Sequence, residues 1–525
     1  MNKCLIVALA GAAALSLGSC RKSSEAPPAG AFAVLAGSEL KDVEKGLEAD
    51  IRAATGLDLV FTYSGTLDAV DKISGGGQFD ALWVSHGKYL VMNDALKGRI
   101  LAQDKTMLSP VLLGLKASKA HALGWDTAEP TWKDIADAAR DGKFTFGMTN
   151  PTSSNTGLTA MIGLAAALAK NPDAFTEADL RNPRLADFFK GQRLTSGSSG
   201  WLAEIYEKDQ SKVDGIINYE SVLLSLNAGG KLAEPLTLVY PKEGIITADY
   251  PLMLLNGARR ADYDRLVAYL RSTPFQTKMS ALTLRRPVNA DAEVAPAIPK
   301  RTLIELPFPG QASLISALLD NFLSDVRIPG SSRYLLDLSG SMRGERIAGL
   351  KQSMLMLAAN TAMGSERYAR FQNREEVGII TFSTEPATTV VFPMGSTPEQ
   401  NARTRTAILQ FVAPLSAGGN TAIYSSIQQA LVELGQERSR VSEKRYYTVV
   451  LMTDGENNRG LTQGEFEAWY RSQGDGVRGI PVFPILFGEG SPEELRAIAD
   501  LTGGRLFDSR ASSLAAVFKE IRGYQ

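Results

Sequence analysis

One short stretch, Asp337-Leu338-Ser339-Gly340-Ser341-Met342, constrains the fold of this chain more than any other. It follows the short, mainly apolar run 333–336, which is typical of a buried strand, and it precedes residues 344–363, where apolar side chains recur at helical spacing. A carboxylate and two hydroxyls are therefore expected in a turn between a strand and a helix. In open α/β sheets, ligands bind in the crevice at the carboxyl ends of the strands. Such oxygens can supply part of the shell of a divalent cation such as Mg²⁺.

Two later junctions between a strand and a helix carry further oxygen ligands of the same kind. Thr421 lies in the segment 418–422, directly before a helical pattern. Asp454 follows the apolar run 447–452, which has the length and composition of a buried strand. A single Asp-x-Ser-x-Ser pattern is a weak signal, because Asp and Ser are common in ordinary turns. Three loops in this order favour one metal site over the alternative of three unrelated turns.

Together the three loops resemble the metal-ion-dependent adhesion site of von Willebrand factor A domains. The resemblance implies a site for Mg²⁺, or for another divalent cation such as Mn²⁺ or Ca²⁺. It also implies that an extracytoplasmic protein partner supplies a carboxylate to the metal. The ligand positions that it implies are Asp337, Ser339, Ser341, Thr421 and Asp454.

The second half of the chain, residues 331–525, alternates strand and helix patterns, which predicts a mainly parallel sheet with helices on both faces. This is the Rossmann-like architecture that the resemblance implies. The predicted strands lie at about 333–338, 376–382, 388–392, 446–452 and 481–487, and the predicted helices at 344–363, 398–413, 421–435, 462–472, 491–502 and 511–522.

Residues 31–300 also alternate short apolar runs with helical patterns, which predicts another α/β domain. Several of its strands end in small polar clusters. Hydroxyls and free backbone N–H groups at helix N-termini can bind an anion or a carboxylate. A single cluster is more simply explained as a helix cap. The repetition of such clusters along one domain favours a shared crevice.

This domain resembles the two-lobed (type II) extracytoplasmic solute-binding proteins of ABC importers, a group that includes binders of molybdate, sulfate and iron. The segments that carry the resemblance are Tyr63-Ser64-Gly65-Thr66, Gln78 to Ser85, Ser153 to Gly157, Tyr250 to Leu255 and Arg285 to Val288. The resemblance implies a first lobe at 31–110 plus 248–300, a second lobe at 111–247, and a hinge between them. The candidate ligand contacts that it implies are Ser38, Ser64, Ser85, Ser154 and Tyr219.

The sequence leaves the class of the solute open between a small molecule or anion and a cation. Glu220, which follows Tyr219, would repel a tetrahedral oxyanion if its carboxylate faced the cleft. Either Glu220 points away from the cleft, or the solute carries an amine or another cation.

The N-terminal segment is typical of an exported bacterial protein. The apolar run from Cys4 to Leu17 is too short to span a membrane and suits a secretory signal. It ends in Leu17-Gly18-Ser19-Cys20, which resembles the lipobox of bacterial lipoproteins. The resemblance implies that residues 1–19 are a signal peptide, that Cys20 is acylated and anchors the protein to a membrane of the cell envelope, and that residues 20–30 form a tether. Cleavage beside an incidental cysteine is the alternative.

Length and composition limit the number of domains and the classes of function. The 525 residues exceed what one core usually holds, so two or three domains are expected. The 56 basic and 57 acidic residues give a net charge of −1, which offers no electrostatic case for binding nucleic acid. His86 and His121 have no cysteine or further histidine near them, so zinc or Ser-His-Asp catalysis is poorly supported. We expect that the protein is not an enzyme. Mg²⁺-assisted phosphoryl chemistry at Asp337 and Asp454 is the weaker alternative.

Residues 301–330 join the two domains, and a helical pattern at 314–326 predicts a connecting helix rather than a loose linker. Two functions follow as hypotheses. In the first, a membrane-anchored binding protein captures a protein partner through the metal. In the alternative, the protein is the solute-binding component of an ABC-type importer or a ligand sensor, in which the second domain reports closure of the lobes.

Overall fold

The structure is a computed structural model that describes residues 30–360, 367–488, 492–509 and 514–524. The predicted signal peptide, Cys20 and all of the predicted tether except its last residue lie outside these ranges. No helix within them is both long enough and apolar enough to cross a membrane.

The described part of residues 30–300 forms two lobes built from short strands and helices. Its strands are β1 (Phe32–Ala36), β2 (Leu59–Tyr63), β3 (Ala81–Trp83), β4 (Ala102–Lys105), β5 (Met107–Lys116), β6 (Phe146–Thr149), β7 (Gln192–Ser196), β8 (Gly215–Tyr219), β9 (Leu236–Val239), β10 (Thr247–Ala248), β11 (Pro251–Leu254) and β12 (Arg286–Pro287). Its α-helices are α1 (Lys41–Thr55), α2 (Thr66–Ser74), α3 (Lys88–Met92), α4 (Ala117–Leu123), α5 (Trp132–Arg140), α6 (Asn155–Leu168), α7 (Pro183–Phe189), α8 (Ser199–Lys208), α9 (Glu220–Ala228), α10 (Arg260–Leu270) and α11 (Thr273–Thr283). Short 3-10 turns lie at Ser38–Leu40, Asp94–Leu96, Pro172–Ala174, Asp179–Arg181 and Gly257–Arg259.

Each lobe is organised around its own sheet. The first sheet has the strand order β2-β1-β3-β11-β4, in which β1, β2 and β3 are parallel and β11 is antiparallel to β3 and β4. The second sheet has the order β10-β5-β8-β6-β7, with β9 and β12 also paired to β5. The chain passes between the sheets at Thr106, between β4 and β5, and again at 249–250, between β10 and β11. These crossings confirm the predicted two-lobed α/β fold.

The boundary of the first lobe differs from the prediction. The sequence predicts that the whole segment 248–300 belongs to the first lobe, but β12 pairs with β5 of the second lobe. Beyond β12, Ile298 packs against Leu224 on the second lobe. The chain therefore crosses between the lobes a third time, near Arg285. The sequence pattern did not show this crossing, because β12 has only two residues and no apolar periodicity.

The connecting segment packs on the domain that precedes it. Helix α12 (Ala312–Asn321) continues into a π-helical turn, Phe322–Val326. The ring of Phe322 lies 5.2 Å from that of Phe189 on the second lobe, and the Asn321 side chain donates a hydrogen bond to the Leu180 carbonyl (2.9 Å). Upstream, Phe308 stacks on His86 of the first lobe at 4.6 Å. The connection is therefore held by both lobes, as expected of a packed helix.

The described part of the second domain alternates strands and helices. Its strands are β13 (Gly330–Asp337), β14 (Glu376–Phe382), β15 (Val390–Pro393), β16 (Tyr446–Thr453), β17 (Val482–Leu486) and β18 (Phe507–Asp508). Its α-helices are α13 (Glu345–Leu357), α14 (Pro398–Val412), α15 (Ile423–Arg440), α16 (Gln463–Ser472), α17 (Asp475–Arg478), α18 (Pro492–Thr502) and α19 (Leu514–Arg522), and a 3-10 turn lies at Gly340–Met342.

These strands form one sheet in the order β15-β14-β13-β16-β17-β18, parallel throughout except for the edge strand β15. Successive side chains of a strand point to opposite faces. Tyr334 and Leu336 accordingly join a core with α13, α14 and α19, whereas Leu335 joins a core with α15, α16 and α18. The mainly parallel, Rossmann-like sheet predicted from the sequence is confirmed, and β18 is an additional strand.

The amino ends of the parallel strands face the second lobe. A cavity of about 410 Å³ lies between these strand ends and the second lobe. It is lined on one side by Arg193 and Thr195 of β7 and on the other by Tyr446, the first residue of β16. Asp454 follows the other end of β16, and eight strand residues span roughly 25 Å. The loops of the candidate metal site therefore lie at the edge of the sheet that is remote from the second lobe.

A buried ionic triad ties the connector to the last helix. Glu375, which is 3% exposed, accepts hydrogen bonds from the guanidinium groups of Arg327, after the π-helical turn, and Arg522, at the end of α19. Burial alone would raise the pKa of Glu375, but Arg522 and Arg327 outweigh it, so the pKa lies below its ordinary value. The triad therefore adds stability above the unfolded-state pKa, and this stability is lost as the pH falls through the lowered folded-state pKa.

We expect Glu375→Gln to lower the free energy of unfolding at neutral pH by about 3–5 kcal/mol, because two buried guanidinium groups would lose the carboxylate that they share. The difference should shrink in acid, where the wild-type carboxylate is itself protonated. Urea denaturation at a series of pH values measures both effects. Glu48→Gln is the control, since Glu48 pairs with Arg52 on the surface (2.8 Å) and such pairs contribute less than about 1 kcal/mol. Equal losses for the two variants would contradict the role of the triad.

Candidate metal centre and solute cleft

The first and third loops of the candidate metal site meet through a chain of hydrogen bonds. The Asp337 carboxylate accepts hydrogen bonds from the Ser339 backbone N–H (2.7 Å) and the Thr453 hydroxyl (2.5 Å). The hydroxyls of Ser339 and Ser341 lie 2.9 Å apart, and that of Ser341 donates to the Asp454 carboxylate (2.8 Å). Adjacent parallel strands β13 and β16 bring the two loops together, because both strands end at the same edge of the sheet.

The second loop is held against the first by its backbone. Gly340 N–H donates to the Gly419 carbonyl (3.0 Å), and Gly419 has a φ of +94°, a conformation that favours glycine. Thr421 is 3% exposed, and its backbone N–H donates to the side-chain oxygen of Asn458 (2.8 Å). The backbone N–H of Asn458 in turn donates a hydrogen bond to the Thr421 carbonyl (3.0 Å). All five predicted ligand residues therefore lie on loops that contact one another at one edge of the sheet.

The electrostatics of the site are dominated by two carboxylates. Burial raises the pKa of Asp337 above its ordinary value; hydrogen bonds from Thr453 and Ser339 act against burial, and the charge of Asp454 adds to the increase. Asp454 forms an ion pair with Arg346, and Arg346 also donates to the Ser341 carbonyl (3.3 Å). Asp337 has no ion pair among the residues that the structure describes.

The donors at these loops suit a hard divalent cation. Asp337 and Asp454 supply carboxylates, and Ser339 and Ser341 supply hydroxyls, all linked within one hydrogen-bonded chain. Mg²⁺ binds such oxygen ligands and keeps several waters, and two carboxylates are enough for it. Across the described ranges, no group of three or more His, Cys, Asp or Glu side chains forms an alternative metal site. The positive charge of Arg346, which is paired with Asp454, opposes a cation here.

The roles of three residues at this site were not predicted from the sequence. Thr453 and Asn458 hold Asp337 and Thr421 in place, and Arg346 neutralises Asp454. Thr453 could have been found, since it directly precedes Asp454 at the end of a strand. The other two lie within a helix and a loop whose local patterns do not show where their side chains point.

The candidate contacts of the N-terminal domain converge between the lobes. Ser38, Ser64 and Ser85 follow β1, β2 and β3 at the carboxyl edge of the first sheet, and Ser154 and Tyr219 lie at the corresponding edge of the second. The lobes touch here, since an added Cβ at Gly65 would lie 2.9 Å from the Ser153 carbonyl. Ser154 stands at the N-cap position of α6 without making a side-chain cap bond.

Glu220 does not face the cleft. Its carboxylate is fully buried and accepts two hydrogen bonds from the Arg286 guanidinium, at 2.7 and 2.9 Å. The Tyr240 hydroxyl donates a third, at 2.5 Å. Of the two alternatives left open by the sequence, the structure shows the first: Glu220 points away and is neutralised by Arg286.

The hinge supplies residues that sequence reasoning missed. Tyr250, at the second crossing, has a φ of +40°, which is rare for a non-glycine residue and marks a strained backbone. Its carbonyl accepts hydrogen bonds from the Thr106 hydroxyl (2.6 Å) and the Trp83 indole (3.2 Å). These bonds fix the Tyr250 ring 6.1 Å from that of Tyr219, beside the Arg285 guanidinium at 4.9 Å.

Comparison with protein families identifies both domains. Residues 32–280 match the family described as bacterial extracellular solute-binding protein. Residues 334–520 match the von Willebrand factor type A domain. Each match covers one of the two α/β units described above.

Among curated proteins, the chain is similar to inter-alpha-trypsin inhibitor heavy chain H3 of Pongo abelii (26% identity) and of Homo sapiens (25%). Each alignment covers 162 residues, which is 30% of this chain and 17% of the relative. The chain thus spans about a sixth of the length of these relatives.

Solved structures with a similar chain trace have low sequence identity. The periplasmic binding protein AfuA from Actinobacillus pleuropneumoniae is 15% identical with a TM-score of 0.43, covering 57% of this chain and 99% of that one. Apo ferric ion-binding protein A of Pasteurella haemolytica is also 15% identical with a TM-score of 0.44, covering 56% and 97%. A von Willebrand factor type A protein from Catenulispora acidiphila is 18% identical with a TM-score of 0.29, covering 38% and 43%.

Solute-binding domains of this family are extracytoplasmic, and both domain types serve binding or adhesion. The chain therefore joins a bacterial extracellular solute-binding protein domain to a von Willebrand factor type A domain, and it is an extracytoplasmic protein of the binding or adhesion class.

Proposed function

We propose that this protein is a lipid-anchored binding protein of the cell envelope, which captures a protein partner through a divalent cation held by its von Willebrand factor A domain. The observation that carries the proposal is the hydrogen-bonded chain from Asp337 through Ser339 and Ser341 to Asp454, with the Thr421 loop packed beside it. Mg²⁺ is the expected ion, and Mn²⁺ or Ca²⁺ would use the same donors. The anchor, acylated Cys20, is proposed from the sequence.

The position of these loops supports capture of a macromolecule. They lie at the edge of the sheet remote from the second lobe, so the second lobe does not cover them. Ser341 is exposed, whereas Asp337 and Ser339 are buried beneath it. A cation bound by these residues would keep an open coordination position toward solvent. A carboxylate of the partner would fill that position, which makes capture depend on the metal.

Asp337→Asn is expected to lower the affinity for Mg²⁺ at least about tenfold, because even outer-shell partners of a metal ligand contribute roughly 10- to 100-fold. Calorimetric titration of MgCl₂ into the full-length protein in detergent measures the change. Asp475→Asn is the matched control, since the side chain of Asp475 is 98% exposed in the same domain. Capture of proteins from cell-envelope extracts should be lost with a chelator and with Asp337→Asn. Metal-independent capture, or equal Mg²⁺ affinity in both variants, would contradict the proposal.

Arg346→Ala is expected to raise the affinity for Mg²⁺ several-fold, because the guanidinium that pairs with Asp454 repels a cation and occupies one of its oxygens. Arg346→Lys keeps the charge and should stay close to wild type. The same titration distinguishes the three proteins. An Arg346→Ala variant with unchanged affinity would show that the arginine does not compete with the metal.

A second function, sensing of a solute by the N-terminal lobes, is favoured by a specific set of contacts. The C-terminal segment of the von Willebrand factor A domain touches both lobes. Lys519 of α19 pairs with Asp68 (2.7 Å) and Asp71 (3.3 Å) on α2 of the first lobe. On the second lobe, the hydroxyl of Thr195 donates to the Gly523 carbonyl (3.1 Å). Opening of the lobes would have to stretch one of these contacts, so solute binding would be transmitted to the second domain.

Lys519→Ala is expected to widen the distribution of distances between the lobes, because it removes the tie to the first lobe and leaves the tie to the second. Spin labels at Lys97 and Lys143, replaced by cysteine, report this distance by pulsed electron paramagnetic resonance. Labelling is selective, since the chain has no cysteine after Cys20. Lys45→Ala, an exposed substitution on the first lobe, is the control. Identical distributions for Lys519→Ala and the control would contradict the coupling.

A further inference from the structure

The cavity between the two domains has a strongly basic lining. It is the cavity of about 410 Å³ between the second lobe and the amino ends of the parallel strands of the von Willebrand factor A domain. Of the described residues that line it, Glu443 alone is acidic. The basic residues come from both sides: Arg193 and Lys212 from the second lobe, and Arg438, Lys444 and Arg445 from the von Willebrand factor A domain. These residues belong to neither the candidate metal site nor the crevice between the lobes.

The acidic residue of the lining is already paired. The Glu443 carboxylate accepts a hydrogen bond from the Arg445 guanidinium (2.8 Å) and lies 3.7 Å from that of Arg374. Neither Arg193 nor Lys444 forms an ion pair with any residue that the structure describes. The positive charges of Arg193 and Lys444 are therefore not neutralised by a carboxylate of these residues.

Arg193 and Lys444 also have free hydrogen-bond donors. One terminal nitrogen of the Arg193 guanidinium donates to the backbone carbonyls of Lys190 (2.6 Å) and Gln192 (2.7 Å). The other three N–H groups of Arg193, and the ammonium of Lys444, make no hydrogen bond to the part of the chain that the structure describes. Burial lowers the pKa of Lys444, and the charge of Arg193 lowers it further. Two cations that repel each other in this way favour an anion between them.

Aromatic rings form part of the wall of the same cavity. The rings of Phe483 and Tyr524 line it and lie 4.9 Å apart. Tyr446 lines it as well, and its hydroxyl oxygen is buried without a hydrogen-bond partner among the described residues. A buried polar atom without a partner calls for a missing water, ion or ligand. The volume of about 410 Å³ suits a small organic molecule rather than a simple ion.

Direct docking of the two domains holds the walls of the cavity together. An added Cβ at Gly523 would lie 2.5 Å from the Cα of Gly197 on the second lobe, so the two backbones are in contact. Thr195, which lines the cavity, donates a hydrogen bond to the Gly523 carbonyl (3.1 Å). Lys212 of the second lobe reaches across, and its Nζ lies 3.9 Å from the place of an added Cβ at Gly503. A ligand in the cavity would therefore contact both domains.

We propose that this cavity binds a small organic phosphate, whose phosphate group is held by Arg193 of the second lobe and Lys444 of the von Willebrand factor A domain. A phosphate monoester carries a charge of about −1.5 to −2 and three acceptor oxygens. The two side chains supply two positive charges and, together, about six free N–H donors. A carboxylate has one charge and two oxygens, so it matches the pair less well. The organic part would pack against the rings of Phe483 and Tyr524.

Three phosphate monoesters test the proposal. AMP and phenyl phosphate are free esters, with adenosine and phenol as their uncharged counterparts, and dihexanoyl phosphatidic acid carries the same group on a lipid. The full-length protein in detergent is first freed of divalent cations, so that the candidate metal site cannot bind the phosphate. Thermal unfolding and calorimetry measure binding. We expect at least one monoester to raise the melting temperature and to bind more tightly than inorganic phosphate, and the uncharged counterparts to have no effect.

Lys444→Met removes one charge and keeps the length of the side chain. It should weaken binding of the monoester about tenfold, because a hydrogen bond between charged partners is lost. Arg193→Met should weaken binding at least as much. Lys97→Met, an exposed substitution on the first lobe, is the matched control and should bind as the wild type does. Since Lys444 has no carboxylate partner to lose, Lys444→Met should not lower the melting temperature of the unliganded protein, and weaker binding would not reflect unfolding.

The outcomes distinguish this site from others on the chain. Absence of any response to the three monoesters would overturn the proposal. A response that is equal in Lys444→Met and Lys97→Met would also overturn it, because the phosphate would then bind elsewhere, as in the crevice between the lobes. A response that is lost in Lys444→Met and kept in Lys97→Met would support it. Its restriction to phosphatidic acid would identify a lipid headgroup as the source of the phosphate, and a response to AMP or phenyl phosphate would identify a free ester.

Discussion

The arrangement of the two domains depends on the buried carboxylate of Glu375. It binds Arg327 at the end of the connector and Arg522 at the end of the last helix, and it lies directly before strand β14. Two guanidinium groups can be buried at this point only because one carboxylate neutralises part of their charge. Gly523, the next residue, accepts a hydrogen bond from Thr195 of the second lobe, and Lys519 of the last helix pairs with Asp68 of the first lobe. The triad thus positions the segment that links the von Willebrand factor A domain to both lobes.

The two edges of the sheet in the von Willebrand factor A domain have different roles, because its central strands are parallel. Because β13, β16 and β17 all run the same way, their amino ends share one edge and their carboxyl ends the other. The amino edge docks on the second lobe, with Tyr446 at the start of β16, and the carboxyl edge gathers the loops of Asp337, Thr421 and Asp454. A protein partner proposed to bind at the candidate metal site would therefore not meet the second lobe, which docks at the opposite edge.

Much of the fold was predictable from the sequence, since it is encoded in local patterns. Apolar runs and helical spacing gave the strands and helices of both domains, and the order of the three loops indicated that they meet at one edge. What the sequence did not show depends on contacts between distant residues. The third crossing near Arg285 rests on a two-residue strand, and the ion pair of Arg346 with Asp454 joins residues 108 positions apart. Neither leaves a periodic signal in the chain.

The contrast between Glu220 and Glu39 shows why the charge of the cleft was the hardest property to predict. Both carboxylates follow a strand at the edge that faces the other lobe, and each lies beside a residue that the sequence indicated as a contact, Ser38 or Tyr219. In the structure Arg286 pairs with Glu220, whereas Arg285 pairs with Asp42 and donates to the backbone carbonyl of Glu39. Two adjacent arginines thus pair with carboxylates on different lobes, Asp42 on the first and Glu220 on the second. The distribution of charge around such a cleft therefore depends on the topology of its hinge as well as on the residues that line it.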